Sequence, residues 1–216
     1  MVSKELYTRV DKSITQNGIN LPLVEEFYSI QGEGYHSGKA AYFIRVGGCD
    51  IACHWCDSKL SWNAKLHPLV SIEDIVSKVL ETPAQSVVVT GGEPGIYNLE
   101  PLSNLLRKNK INNFLETSGA YKLSGEWDWI CLSPKKNKEP LTENLQLAHE
   151  LKVVIFDDTD FEFAEKWKSQ VNEDCKLLLQ PEYSQFDKMA PKMVEYVKNN
   201  PDWNISLQSH KYLNIP

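Results

Sequence analysis

The chain has no lysine- or arginine-rich run, no apolar stretch of membrane-spanning length and no fourth cysteine beside its one cysteine cluster. With 23 Lys+Arg against 29 Asp+Glu, its 216 residues carry a formal charge of −6. Such a field repels a polyanion, so nucleic acid is not an expected partner. No segment approaches the roughly 18 uninterrupted apolar residues that a membrane helix needs. The opening "MVSKELYTRVDKS" also lacks the apolar core of a secretory signal. The expected setting is therefore the cytoplasm, with no membrane partner and with reduced thiols. Cysteine is scarce, with five in all. Cys131 and Cys175 stand alone in apolar surroundings and read as small buried side chains. With no repeat, low-complexity tract or linker, one domain over residues 1–216 is expected, with residues 1–40 as an irregular N-terminal cap and substrate loop.

Seven short β-rich runs are present: residues 41–46, 86–90, 112–117, 127–133, 151–156, 175–180 and 203–208. Most are continuously apolar, which predicts strands covered on both faces. Helical spacing appears between them. In 71–81, Ile72, Ile75, Val76, Val79 and Leu80 share a face, and Ser71 with Asp74 can cap its start. Residues 98–109 align Leu99, Leu102, Leu105 and Leu106. Patterns over 161–171 and 186–200 are weaker, and Pro191 predicts a late start or a kink in the last. Strand–helix alternation predicts an α/β fold with a parallel sheet. A complete eight-fold barrel takes about 250 residues, so a partial, open TIM-like barrel with outer helices is expected. Polar residues gather where six of the runs end, on the rim where such folds place their ligands.

The first run leads into "VGGCDIACHWCDS", where Cys49, Cys53 and Cys56 follow a C-x3-C-x2-C spacing. Structural zinc sites commonly pair two knuckles, and there is no second one here. A four-iron cubane needs one outer ligand per iron. Three cysteines would hold three irons and leave the fourth open to a substrate or cofactor, while a zinc knuckle or unrelated cysteines remain alternatives. This spacing, with Trp55 just before the last cysteine, resembles the signature of radical S-adenosylmethionine (SAM) enzymes. Gly91-Gly92-Glu93-Pro94, closing the second run, is similar to that superfamily's Gly-Gly-Glu-Pro motif. The resemblance implies a radical SAM core, a [4Fe-4S] cluster on Cys49, Cys53 and Cys56, and SAM on the open iron. One electron from the cluster would then break a carbon–sulfur bond and yield a 5′-deoxyadenosyl radical.

The stretches "QGEG", "FIRVGGC", "CHWCDS", "TGGEP", "ETSG", "SPK" and "LQSHKYLNIP" resemble the 7-carboxy-7-deazaguanine synthase family over most of the chain. That family converts 6-carboxy-5,6,7,8-tetrahydropterin to 7-carboxy-7-deazaguanine with release of ammonia, on the route to queuosine and other 7-deazapurines. The resemblance implies substrate contacts from Ile30, Gln31, Gly32, Glu33, Arg45, Thr90, His210 and Pro216. Gln31 and Glu33 suit the donor–acceptor edge of a pterin. Arg45, a charge inside an apolar strand, suits a carboxylate in fork geometry, with an internal salt bridge as the alternative. For SAM it implies Trp55, Cys56, Asp57, Gly92, Glu93, Ser133, Pro134, Lys135 and Gln180, with Glu116 a lesser candidate. It further implies Mg2+ on the Ser58 hydroxyl, a position where many relatives carry threonine. A flavodoxin-like electron donor and a homodimer are implied as well. Two other readings share some of these features: a glycyl-radical activase, which would need a protein partner, and a zinc-binding interaction module.

Overall fold

The structure is a computed structural model that describes residues 15–216. Nine strands form a single open sheet. They are β1 (Asn20–Ile30), β2 (Ala40–Val46), β3 (Leu69–Ser71), β4 (Ser86–Gly91), β5 (Asn112–Thr117), β6 (Trp129–Leu132), β7 (Glu150–Ile155), β8 (Lys176–Pro181) and β9 (Trp203–Ile205). Their order is β3-β1-β2-β4-β5-β6-β7-β8-β9. From β2 onward every neighbouring pair is parallel, and β1 joins antiparallel to β2 and β3. The sheet curls without closing, which is the expected partial barrel.

The helices are α1 (Ile72–Leu80), α2 (Glu100–Lys108), α3 (Thr142–Leu147), α4 (Thr159–Lys168), α5 (Phe186–Asn199) and α6 (Ser209–Leu213). In α1, Ser71 Oγ accepts from Asp74 N at 3.1 Å and donates to its carboxylate at 2.7 Å, so the expected cap is present. The amphipathic face of α1 buries Ile72, Ile75, Val76 and Val79. Among the described residues no helix is long and apolar enough to cross a membrane.

Alternation along the strands sorts two chemistries to two faces. Ile44, Val46, Val87, Val89 and Leu115 pack into one helix-covered core, and Leu151, Val153, Ile155 and Leu179 pack into another. The residues between them turn the other way. Arg45, Thr90, Glu116, Lys152 and Gln180 line a cleft on the inner face. The strands are therefore helix-covered on one face only, and a polar belt interrupts the runs that look continuously apolar in sequence. Toward the start of the strands this inner face has an apolar floor of Ala41, Phe43 and Val88, with Phe27 and Phe114 packed against it.

Four local expectations need correction. Residues 20–30, expected to be irregular, form the long strand β1; residues 1–14 of that segment lie outside the described residues. The last run ends as a strand at Ile205, not at residue 208. Helix α5 starts at Phe186 and runs through Pro191. Cys131 is buried as expected, but its surroundings are not apolar. It pairs in register with Glu116 on one side and Glu150 on the other.

Candidate active site

The cleft has a volume of about 280 Å³. One wall is the cysteine loop that follows β2. Backbone bonds set its path: Gly48 N donates to Ser61 O at 2.6 Å and Cys49 N to Trp62 O at 3.1 Å. From across the cleft, Asn137 Nδ2 donates to the carbonyls of Ile51 and Ala52 at 2.9 and 3.0 Å. Lys138 pairs with Asp50 at 3.0 Å. The segment "SPKKNK", which looks like a solvated basic turn, thus clamps this loop.

Cys49, Cys53 and Cys56 are free, half-buried and line the cleft together. Among the described residues no three His, Cys, Asp or Glu side chains lie close enough to hold a single metal ion. Three cysteines would leave one iron of a four-iron cubane without a protein ligand. Trp62 Nε1 points at Cys56 Sγ from 3.3 Å, a donor of the kind that tunes cluster sulfur. Burial pushes the Cys49 thiol up to about 12 and also raises Cys53, with Lys135 opposing the latter shift. A bound metal would require both as thiolates.

The glycine turn after β4 lies against this loop. Gly92 N donates to Val46 O at 2.9 Å, and Glu93 N donates to Gly48 O at 2.8 Å. A Cβ on Gly92 would sit 2.3 Å from Gly48 O, so only glycine permits this approach. Glu93 is 1% exposed. Its carboxylate accepts from Gly95 N at 2.8 Å, Thr117 Oγ1 at 2.5 Å and Ser118 N at 2.8 Å. It therefore ties the β4 turn to the end of β5, and its backbone is the part best placed for a ligand. Lys135 folds back to donate to Ser133 O and Oγ at 2.7 and 2.6 Å, and it lies over the Trp55 ring at 5.7 Å. Pro134 is buried and does not line the cleft, because the chain turns there between Ser133 and Lys135, which do.

The opposite wall holds Ile30, Gln31, Gly32 and Glu33. Lys152, 3% exposed, bridges Glu33 at 2.7 Å and Glu116 at 2.9 Å. Gln208 Nε2 donates to Glu33 at 2.7 Å, and Gln31 Nε2 to Glu116 at 3.3 Å. Burial opposes ionisation of Glu33. The Lys152 charge and hydrogen bonds from Lys152, Gln180 and Gln208 outweigh it and hold the carboxyl at about 2. Arg45 Nε pairs with Glu25 at 2.6 Å, while its Nη1 donates to Ser58 Oγ at 3.1 Å. The salt bridge weighed against a ligand role is thus present, and Arg45 still lines the cleft. His210 packs so closely on Gly32 that a Cβ there would sit 2.3 Å from Nδ1, and burial lowers the pKa of its ring. Thr90, Asp57, Gln180 and Pro216 complete the lining. All the expected site residues except Pro134 converge on this one cleft.

The residues missed in sequence are Lys152, Gln208 and Trp62. Lys152 had a readable signal, a lysine inside the apolar run "LKVVIF", which is the same cue that singled out Arg45. Gln208 lies in the quoted stretch "LQSHKYLNIP", at the polar end of the last run, but is assigned no role there; Trp62 carries no local signature.

A family model described as a 4Fe-4S single cluster domain matches residues 30–173. A 7-carboxy-7-deazaguanine synthase of Flavobacterium psychrophilum is 53% identical over 216 residues, covering 100% of each chain. A protein of the same name from Synechocystis sp. is 42% identical, over 91% of this chain and 94% of its own. A solved structure described as QueE from Escherichia coli superposes with a TM-score of 0.82 at 30% identity, covering 94% of this chain and 100% of that one.

Proposed function

This chain belongs to the 7-carboxy-7-deazaguanine synthase family, and from that premise we propose that its cleft contracts the ring of 6-carboxy-5,6,7,8-tetrahydropterin to 7-carboxy-7-deazaguanine with release of ammonia. One observation carries the reading: the three-cysteine loop and the polar belt of the inner sheet face the same 280 Å³ space.

Cys49, Cys53 and Cys56 would hold the [4Fe-4S] cluster. Trp55, Asp57, Gly92, Glu93, Ser133, Lys135 and Gln180 would surround SAM. When bound, cluster and SAM supply reductive cleavage and hydrogen-atom abstraction, chemistry that side chains alone do not perform. The chain's own work is binding and orientation. Glu33, held ionised, has lone pairs left for the N–H edge of a pterin, and Gln31 offers an amide beside it. Arg45, braced by Glu25, presents a guanidinium edge for the substrate carboxylate. His210, kept neutral by burial, offers one donor and one acceptor, and Thr90 offers a hydroxyl. Phe27, Phe43 and Val88 keep the floor dry.

Ser58 would hold Mg2+. Ser58 lines the cleft; its Oγ accepts from Arg45 and keeps a second lone pair, which would be the chain's single contribution to an ion whose other ligands are substrate and water. A flavodoxin-like electron donor, a homodimeric assembly and a cytoplasmic setting complete the proposal; the family resemblance supports them. A glycyl-radical activase would leave the Lys152 network and Arg45 without a role.

The test is anaerobic reconstitution with iron and sulfide, followed by SAM, reductant and the carboxypterin. The expected result is deazapurine and ammonia in equal amounts. An intact cluster that cleaves SAM yet forms no deazapurine would reject the substrate.

A further inference from the structure

The cysteine loop is followed by one tight helical turn, Lys59–Trp62, which brings the chain back onto the loop. Ser61 N donates to Ser58 O at 2.9 Å and closes the turn. Ser61 is buried, and its carbonyl accepts from Gly48 N. The next carbonyl, of Trp62, accepts from Cys49 N. Main-chain bonds thus fix Trp62 beside the first cysteine. Its indole reaches the third: Nε1 donates to Cys56 Sγ at 3.3 Å. The ring is half-buried and lines the cleft. One residue therefore holds both ends of the C-x3-C-x2-C segment, by its carbonyl at Cys49 and by its side chain at Cys56.

Packing alone would ask only for bulk at this position. An aimed N–H does more once the sulfur is a thiolate, because a hydrogen bond to an ionised acceptor is charge-assisted. Such a bond strengthens as the sulfur grows more negative, and N–H donors to ligand sulfurs are one of the levers on cluster potential. The other two sulfurs have different sources of positive potential. Cys49 has the main-chain N–H of Ile51, and Cys53 has the Lys135 ammonium nearby. The first cannot be removed by substitution, and the second belongs to the proposed SAM wall. The Trp62 donor can be removed alone.

We propose that Trp62 is a positioning residue that acts through Cys56, raising the reduction potential of the cluster so that a physiological donor can reduce it. When a flavin-type donor gives one electron to the cluster, the donor is oxidised, the cluster is reduced and no atom moves. The indole N–H stabilises the reduced form more than the oxidised one, because the added charge falls partly on the ligand sulfurs. This role rests on the cluster of the function proposed above and not on its pterin.

The test is a dye-mediated potentiometric titration of the anaerobically reconstituted full chain, without SAM or pterin, with the reduced cluster counted by electron paramagnetic resonance. Trp62→Phe removes the N–H and part of the ring. Replacement of Trp62 by 3-benzothienylalanine keeps the bicyclic shape and puts sulfur in place of the N–H, so it carries the test even if the first variant takes up less iron. In both, the midpoint is expected to become more negative. At a fixed potential the ratio of reduced to oxidised cluster should fall about tenfold, which is 59 mV for one electron. An unchanged or more positive midpoint in the benzothienyl variant would overturn the proposal. A shift confined to Trp62→Phe would do the same, since it would assign the effect to ring volume. Because no pterin is present, the outcome is independent of the turnover assay.

Discussion

Lys152 is the residue that ties Glu33 and Glu116 together in the wall of the cleft. Burial works against its ammonium, yet the acidic groups around it hold its pKa well above the usual lysine value. Removing one partner of a buried charge cluster leaves the others unpaired in a poor dielectric. Lys152→Met, similar in length and apolar, is therefore expected to lose about 3–5 kcal/mol of stability in a denaturant titration. It should also lose substrate turnover while keeping reconstituted cluster absorbance, since the cysteine loop stands apart from it. The same pair sets a pH dependence. Glu33 falls from the ordinary 4.5 to about 2 in the folded chain. A depressed carboxyl contributes stability that is complete above 4.5 and is lost as pH drops toward 2. Acid unfolding between these limits should flatten in Glu33→Gln, as a series of melting curves would show. Ser58 offers a milder test: Ser58→Thr should keep any Mg2+ stimulation of turnover, and Ser58→Ala should lose it.

At the scale of elements, the site is a row drawn across parallel strands. Arg45 pairs in register with Thr90, Glu116 with Cys131, and Cys131 with Glu150. This is why part of the site was legible in the sequence and part was not. The cysteine loop and the Gly91–Pro94 turn are contiguous, and their chemistry needs neighbours in the chain, so spacing alone exposes them. The apolar run marks Lys152 itself, but its meeting with Glu33 and Glu116 depends on how the fold brings distant segments together, which no local pattern encodes. Strand β1 was hidden for a different reason. Pro22 and the Glu25-Glu26 pair break the expected apolar pattern, and the register shifts between Leu23 and Glu25. Glu93 is the tie between two such elements. Glu93→Gln cannot accept all three of its bonds as a carboxylate does. It should loosen the turn against β5 and lower SAM affinity in a binding titration more than it lowers cluster content.

Across the whole molecule, the sheet's two ends meet through loops and not through strand pairing. Ser209 N donates to Gly32 O at 2.8 Å, Gly34 N to Ser206 Oγ at 2.8 Å, and Gln208 reaches Glu33. The core itself is built from two helix-covered clusters that leave this seam alone. Removing residues 209–216 should therefore spare the helical circular dichroism signal while abolishing turnover, because His210 and Pro216 leave with them.

A seam latched by a few hydrogen bonds is a weak spring compared with the sheet it joins. A molecule that touches both sides of it, Glu33 on one and His210 on the other, stitches the first third of the chain to its tail. The pterin should then act as a fastener, raising the melting temperature and slowing amide exchange at residues 31–34 and 206–210 together. That pairing would distinguish a clasp that shuts on its guest from a pocket already rigid before the guest arrives.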